Sequence, residues 1–216
     1  DNFTYIIKTY GSSMNIVTGD GGFDFSNDFN KQETSISKLL FAQLCYALFL
    51  QKKNGSFVLK MFDCFLKNSV DILYILSGYY NEVYICKPQT SRYANSEKYI
   101  VCKGFCGLNE TSKTFLISCF QSMLLNKLQN IMTYIKNELP TYFVTKVEEY
   151  NAIFGQQQIE NINNTLLLLE HNKNDKIQSI MKNHIQKCIF WCNKYNVPYN
   201  TIIEENVFLK SYESDV

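Results

Sequence analysis

The 216 residues contain no apolar run long enough to cross a bilayer; Leu166 to Leu169 is typical of the longest. No basic stretch leading into an apolar segment opens the chain, so a secretory leader is not expected. An excess of either charge is also missing, with 21 Lys and Arg against 20 Asp and Glu. Dedicated nucleic-acid modules carry a clear basic excess, so contact with nucleic acid has to come from a local patch. With 46% hydrophobic and 19% charged residues the composition is that of an ordinary globular chain, neither disordered nor collagen-like nor coiled coil.

Cysteine is present in number but not in the pattern of a disulfide scaffold. Cys45, Cys64, Cys86, Cys102, Cys106, Cys119, Cys188 and Cys192 mostly lie inside apolar runs, where free cysteine acts as a small hydrophobe. A reducing compartment, cytoplasmic or nuclear, is expected. The length suits one large domain or a modest domain with an appendage. The first residue is Asp1, which suggests a piece of a longer polypeptide.

Apolar spacing and breakers divide the chain. Residues 3–10 form a short helix. Met14 to Thr18 reads as a buried strand stopped by Gly19-Asp20-Gly21-Gly22, and 23–32 as a polar loop. Helical spacing runs from Glu33 to about Lys53, where Asn54-Gly55 is expected to end it. Strands follow at Ser56 to Phe62, Glu82 to Cys86 and Lys98 to Lys103, with a helix over Asn68 to Tyr79. Pro88 closes the third strand, having no N–H for a ladder. This order predicts an α/β fold with a mostly parallel sheet. Its last strand, reached without an intervening helix, is antiparallel at or near an edge. After Gly107 the pattern turns helical, over 111–138, 157–171 and 174–195, predicting a sheet-containing part over 1–107 and a helical extension over 108–216. Two full helices and part of a third are too few to cover both faces of a parallel sheet, so the sheet is expected to be the C-terminal part of a larger one.

Open α/β sheets place their sites at the carboxyl ends of strands. Asp20 follows the first strand, Lys60 closes the second, and Glu97 precedes the antiparallel fourth, whose start faces the same rim. Each alone reads as a cap, a snorkelling lysine or a solvated carboxylate. Together they make a lysine held between two carboxylates, able to steer a weak nucleophile such as a sugar hydroxyl and stabilise a developing alkoxide without a metal. His184, Cys188 and Cys192 share a helix face, but the outer two lie roughly 12 Å apart along the axis, too far for one tetrahedral ion.

Three stretches carry a resemblance: Thr18-Gly19-Asp20-Gly21-Gly22-Phe23-Asp24, Leu59-Lys60-Met61-Phe62-Asp63, and Lys87-Pro88-Gln89-Thr90-Ser91-Arg92-Tyr93-Ala94-Asn95-Ser96-Glu97-Lys98-Tyr99. In type and spacing they resemble the FtsJ-like ribose 2′-O-methyltransferases, above all those that methylate the first transcribed nucleotide of capped mRNA. The segment from Ile185 to Pro198 is similar to the tail that follows the domain in cellular cap methyltransferases. The resemblance implies a Rossmann-like fold, S-adenosylmethionine as methyl donor, and a Lys-Asp-Lys-Glu tetrad in which Asp20 is the Asp, Lys60 the second Lys and Glu97 the Glu. It also places Arg92, Asn95 and Ser96 near the RNA backbone and ribose, with Asp28 and Asn30 as weaker candidates for cap or RNA contact. In the family the first Lys and the Gly-rich donor loop lie well before the strand ending at Asp20. Neither is matched in these 216 residues, so the chain alone is expected to be inactive, with the rest of the domain or a second copy as partner.

The rival reading is a catalytically inactive relative that binds RNA or scaffolds a capping or transcription complex; the intact Asp20, Lys60 and Glu97 favour the enzyme. Richness in Asn, Lys, Ile and Tyr points to an AT-rich genome and a large DNA virus as source, with a viral factory or virion as location.

Overall fold

The computed structural model describes residues 2–23, 28, 31–126, 130–171 and 174–200. Among them the elements run α1 (Asn2–Tyr10), β1 (Met14–Gly19), α2 (Gln32–Leu50), β2 (Gln51–Met61), α3 (Lys67–Tyr79), β3 (Tyr80–Cys86), β4 (Lys98–Phe105), α4 (Glu110–Leu125), α5 (Thr141–His171) and α6 (Asn174–Tyr195). The four strands form one sheet in the order β1-β2-β4-β3. β1 runs parallel to β2, and β4 is antiparallel to both β2 and β3. Three strands therefore share a direction, and only β4 opposes them. It lies inside the sheet, next to the edge strand β3. Among the described residues, nothing pairs with the other edge of β1.

One face of the sheet is apolar by alternation. Phe57, Leu59 and Met61 of β2 and Ile100 and Cys102 of β4 are buried, and between them Val58, Lys60, Tyr99 and Val101 are half-buried on the opposite face. α2 supplies the densest part of the core through Ile36, Leu40, Leu44 and Leu48, each 1% exposed or less.

α2 is shorter than expected. It stops at Leu50, and Asn54-Gly55 fall inside β2 instead of ending the helix. The last carbonyls of α2 are taken by the chain entering β1, with Ser12 N and Ser13 N donating to Phe49 O and Leu50 O at 2.9 and 3.0 Å. Asn54 then adopts a left-handed backbone (φ 67°), and the β1–β2 register shifts between Met14 and Ile16. Gly55 is required there, because a Cβ would lie 2.9 Å from Asn15 O.

The helix expected over 111–138 ends at Leu125, and 130–140 is irregular. Buried side chains of α3 capture its backbone. Asp71 Oδ2 accepts from Thr133 Oγ1, Tyr134 N and Ile135 N at 2.6, 2.8 and 3.2 Å, and Asn68 Nδ2 donates to Ile131 O at 2.7 Å. Tyr134 stacks on Phe41 at 4.5 Å. Burial pushes the Asp71 carboxyl up, but these bonds and the Lys67 ammonium at 2.8 Å outweigh it, leaving it below the ordinary carboxylate value.

The compact body that holds the sheet runs to Asn161, and a second unit starts at Ile162. α4 belongs to the first body, with Leu116, Phe120 and Met123 in its core and Phe120 against Phe3 at 4.3 Å. Gly107, where the sequence changes character, is thus not where the packing divides. α5 also begins earlier than the 157–171 expected, just after Pro140, whose carbonyl accepts from Phe143 N and Val144 N at 2.9 and 3.2 Å. In the second unit, Trp191 and Tyr195 pack one turn apart on α6 with centroids 5.0 Å apart. No described helix is long and apolar enough to cross a membrane.

Candidate functional site

β1 and β2 are parallel and end side by side, Gly19 opposite Leu59. The chain leaves β1 through Asp20 as β2 reaches Lys60, so neighbouring strand ends deliver the two residues to one rim. Lys60 Nζ lies 2.6 Å from Asp20 Oδ1, and 3.5 Å from the Asp20 carbonyl oxygen. The lysine side chain is 17% exposed and the aspartate 70%. An ammonium is thus held low in the rim by a carboxylate that stands in water.

The Gly19–Gly22 turn fits closely around this pair. Gly21 N donates to Gln43 Oε1 at 2.9 Å, and Cβ atoms at Gly19 and Gly21 would come within 2.8 and 3.2 Å of the Gln43 amide. Those glycines let the turn lie against α2, leaving no hollow behind it. Gln43, which positions the turn, carries no motif signal in the sequence.

Glu97 reaches the same rim by a different route. Its carboxylate accepts the Tyr99 hydroxyl at 3.2 Å, and among the described residues it makes no ion pair with Lys60. Tyr99 is the direct cross-strand partner of Lys60, so both side chains stand on one face of the sheet. Burial, the Glu97 charge and hydrogen bond, and the Asp20 charge all raise the Tyr99 phenol above its ordinary value, keeping it a neutral donor. Asp20, Lys60, Tyr99 and Glu97 therefore form one electrostatic group with a tyrosine link that the sequence pattern did not announce.

The loop between β3 and β4 hangs on Lys87. Its ammonium donates to Asn95 O, Asn95 Oδ1 and Glu97 O at 2.7, 2.6 and 2.7 Å. Burial, helped by the charges of Lys98 and Arg92, holds this lysine below the ordinary value against the pull of Glu97. Arg92 is exposed, and Asn95 and Ser96 are half-buried. Asp28 pairs with Lys31 at 3.1 Å. Asn30 lies outside the described residues. Among the described residues no three His, Cys, Asp or Glu side chains are grouped to hold a metal.

Residues 2–105 match the model of the FtsJ-like methyltransferase family. A cap-specific mRNA (nucleoside-2′-O-)-methyltransferase 1 from Trypanosoma brucei brucei is 32% identical over 166 residues, covering 75% of this chain and 45% of its own. The mouse cap-specific mRNA (nucleoside-2′-O-)-methyltransferase 2 is 33% identical over 162 residues, 74% of this chain and 20% of its own. The mouse methyltransferase 1 is 35% identical over 145 residues, 67% of this chain and 17% of its own. The chain thus spans less than half the length of these relatives. Over residues 2–105 the chain is similar to the FtsJ-like methyltransferase family.

Proposed function

We propose that this chain is the acceptor-side part of an RNA ribose 2′-O-methyltransferase that acts on capped mRNA at the first transcribed nucleotide. The observation that carries the reading is the 2.6 Å Lys60–Asp20 pair at the shared end of two parallel strands, with Glu97 attached to the same face through Tyr99.

S-adenosylmethionine supplies the electrophilic methyl group when bound. The Gly19–Gly22 turn is packed against Gln43 and does not match the Gly-rich donor loop, which the resemblance places before β1. The role of this chain is to present the nucleophile. Lys60 holds the 2′-oxygen and stabilises the negative charge that builds on it as the O–C bond forms and the hydroxyl proton passes to solvent. Asp20 fixes the ammonium, and Glu97, kept in place by Tyr99 and by the Lys87 bond to its carbonyl, adds the second carboxylate. Arg92, Asn95 and Ser96 meet the RNA backbone and ribose. By itself the chain is inactive.

The test is methyl transfer from labelled donor to capped RNA, using the longest natural polypeptide that contains this chain, followed by digestion to locate the methyl group. A 2′-O-methyl on the first nucleotide supports the reading. A folded polypeptide that transfers nothing to capped or uncapped RNA overturns it in favour of an inactive RNA-binding or scaffold protein.

A further inference from the structure

Below the β3–β4 loop, on the sheet face opposite Lys60, lies a cleft of about 210 Å³ whose walls include Asp63, Phe65, Tyr93, Lys98, Phe154 and Gly155. Lys98 is the anomaly. It pairs with Met61 in the β2–β4 ladder and precedes Ile100 and Cys102 on the apolar face, where the period of two calls for another hydrophobe. It is 5% exposed. Among the described residues its ammonium makes no direct hydrogen bond or ion pair; it stands 5.3 Å from the Tyr150 ring, and its charge also acts on Cys64 and Lys87. Set in the cleft wall, it is a charged donor that an acceptor entering the cleft would meet.

The rest of the wall narrows what that is. Asp63 borders the same small space, and its negative charge disfavours a phosphate there. Phe65 and Tyr93 are 68% and 38% exposed, and Phe154 is stacked on Tyr150 at 4.2 Å, so flat apolar surface borders the polar groups. Asn151 uses its amide N–H on Cys64 O at 2.7 Å and leaves its buried Oδ1 without a partner. Gly155 supplies an independent pointer. Glycine inside a helix costs roughly 1 kcal/mol relative to alanine, yet a Cβ here would meet nothing within 4 Å. Neither packing nor a positive φ requires it. What its missing side chain does is keep the cleft open.

We infer that the cleft takes one nucleobase of the RNA, with a ring carbonyl toward Lys98, an amine or ring N–H toward Asp63, and the ring plane against the aromatic wall. The volume is below the roughly 300 Å³ at which pockets for drug-sized ligands begin, which suits a single base. Asn95 and Ser96 border the cleft and Glu97 follows them in the chain, so the base belongs to the same RNA whose ribose meets Lys60. The inference rests on the RNA reading above.

The experiment measures, by fluorescence anisotropy, binding of fluorescein-labelled short capped RNAs to the complete polypeptide. One RNA is intact, and the others each carry an abasic ribose at one position. Gly155→Leu, a better helix former pointing into open space, is expected to melt no lower than the parent and to bind intact RNA about tenfold more weakly. One abasic RNA should bind parent and variant alike. Lys98→Met, which keeps length and removes the donor, should reproduce the loss. Unchanged affinity in both variants overturns the inference, as does equal weakening for intact and every abasic RNA, which would mean a backbone or phosphate occupant. Methyl transfer is read separately. Base-dependent binding without transfer sinks the enzyme but not the cleft, and transfer with unchanged binding in both variants sinks only the cleft.

Discussion

Lys60 and Asp20 are forty residues apart in the chain and 2.6 Å apart at the end of the sheet. Asp20 is largely exposed, so their attraction contributes at most about 1 kcal/mol to stability. Lys60→Ala in the complete polypeptide should therefore leave the thermal unfolding midpoint nearly unchanged. Its methyl transfer to capped RNA should fall by about 100-fold or more. Transfer within a few-fold of the parent would remove Lys60 from the reaction.

Asp71 ties α3 to the irregular segment after α4 through three donors, and Lys67 within α3 gives its carboxylate a fourth. Asp71→Asn should cost about 2–3 kcal/mol, because charge-assisted bonds become neutral ones and one oxygen becomes a donor facing donors. Urea unfolding at pH 7 reads this directly.

The same residue gives a pH signature. Its carboxyl is lowered in the folded protein, so near that value the unfolded chain binds more protons, and stability rises with pH. The contribution is fully present above the unfolded value of about 3.9 and is lost as pH falls through the lower folded one. The stability gap between parent and Asp71→Asn should thus be constant near neutrality and shrink below about pH 4. A gap that grows on acidification contradicts the assignment.

Arg92 is the chain's single arginine and lies in the loop that Lys87 secures. Lys87→Met removes three bonds from the ammonium to Asn95 and Glu97. An arginine-specific protease should then cut after residue 92 about tenfold faster than in the parent, one lost charge-assisted bond of about 1.5 kcal/mol being enough. Equal rates would show that the loop is held by something else.

The cysteines divide by burial. Burial pushes the Cys64 and Cys102 thiols up to about 12 and Cys45 further still, whereas Cys106 and Cys188 are exposed. Iodoacetamide at pH 8 should modify Cys106 and Cys188 within minutes and reach the buried three only after denaturant is added, as peptide mass spectrometry would show.

Strand order along the chain was readable because each apolar run ends at a residue that cannot continue it, and strand ends sharing a direction share a rim. That is enough to bring Asp20 beside Lys60 and to make β4 antiparallel. It was not enough at Asn54-Gly55, which read as a helix stop. There the tertiary pairing with β1 turned a left-handed residue into an irregularity within a strand. Nor was it enough over 130–138, where the apolar spacing is helical but buried Asp71 and Asn68 offer the backbone better partners.

What the sequence by itself determined are the features set by neighbours in the chain: the α/β order, the three stretches that resemble the methyltransferases, and the residues at the strand ends. Tertiary structure decided what depends on elements far apart in sequence. It set Tyr99 across from Lys60 and bonded it to Glu97, made Lys87 the anchor of the β3–β4 loop, and carried the first compact body on to Asn161. It also enclosed Lys98 beneath α5. A lysine at the head of a strand reads as a surface residue until a helix some fifty residues later covers it.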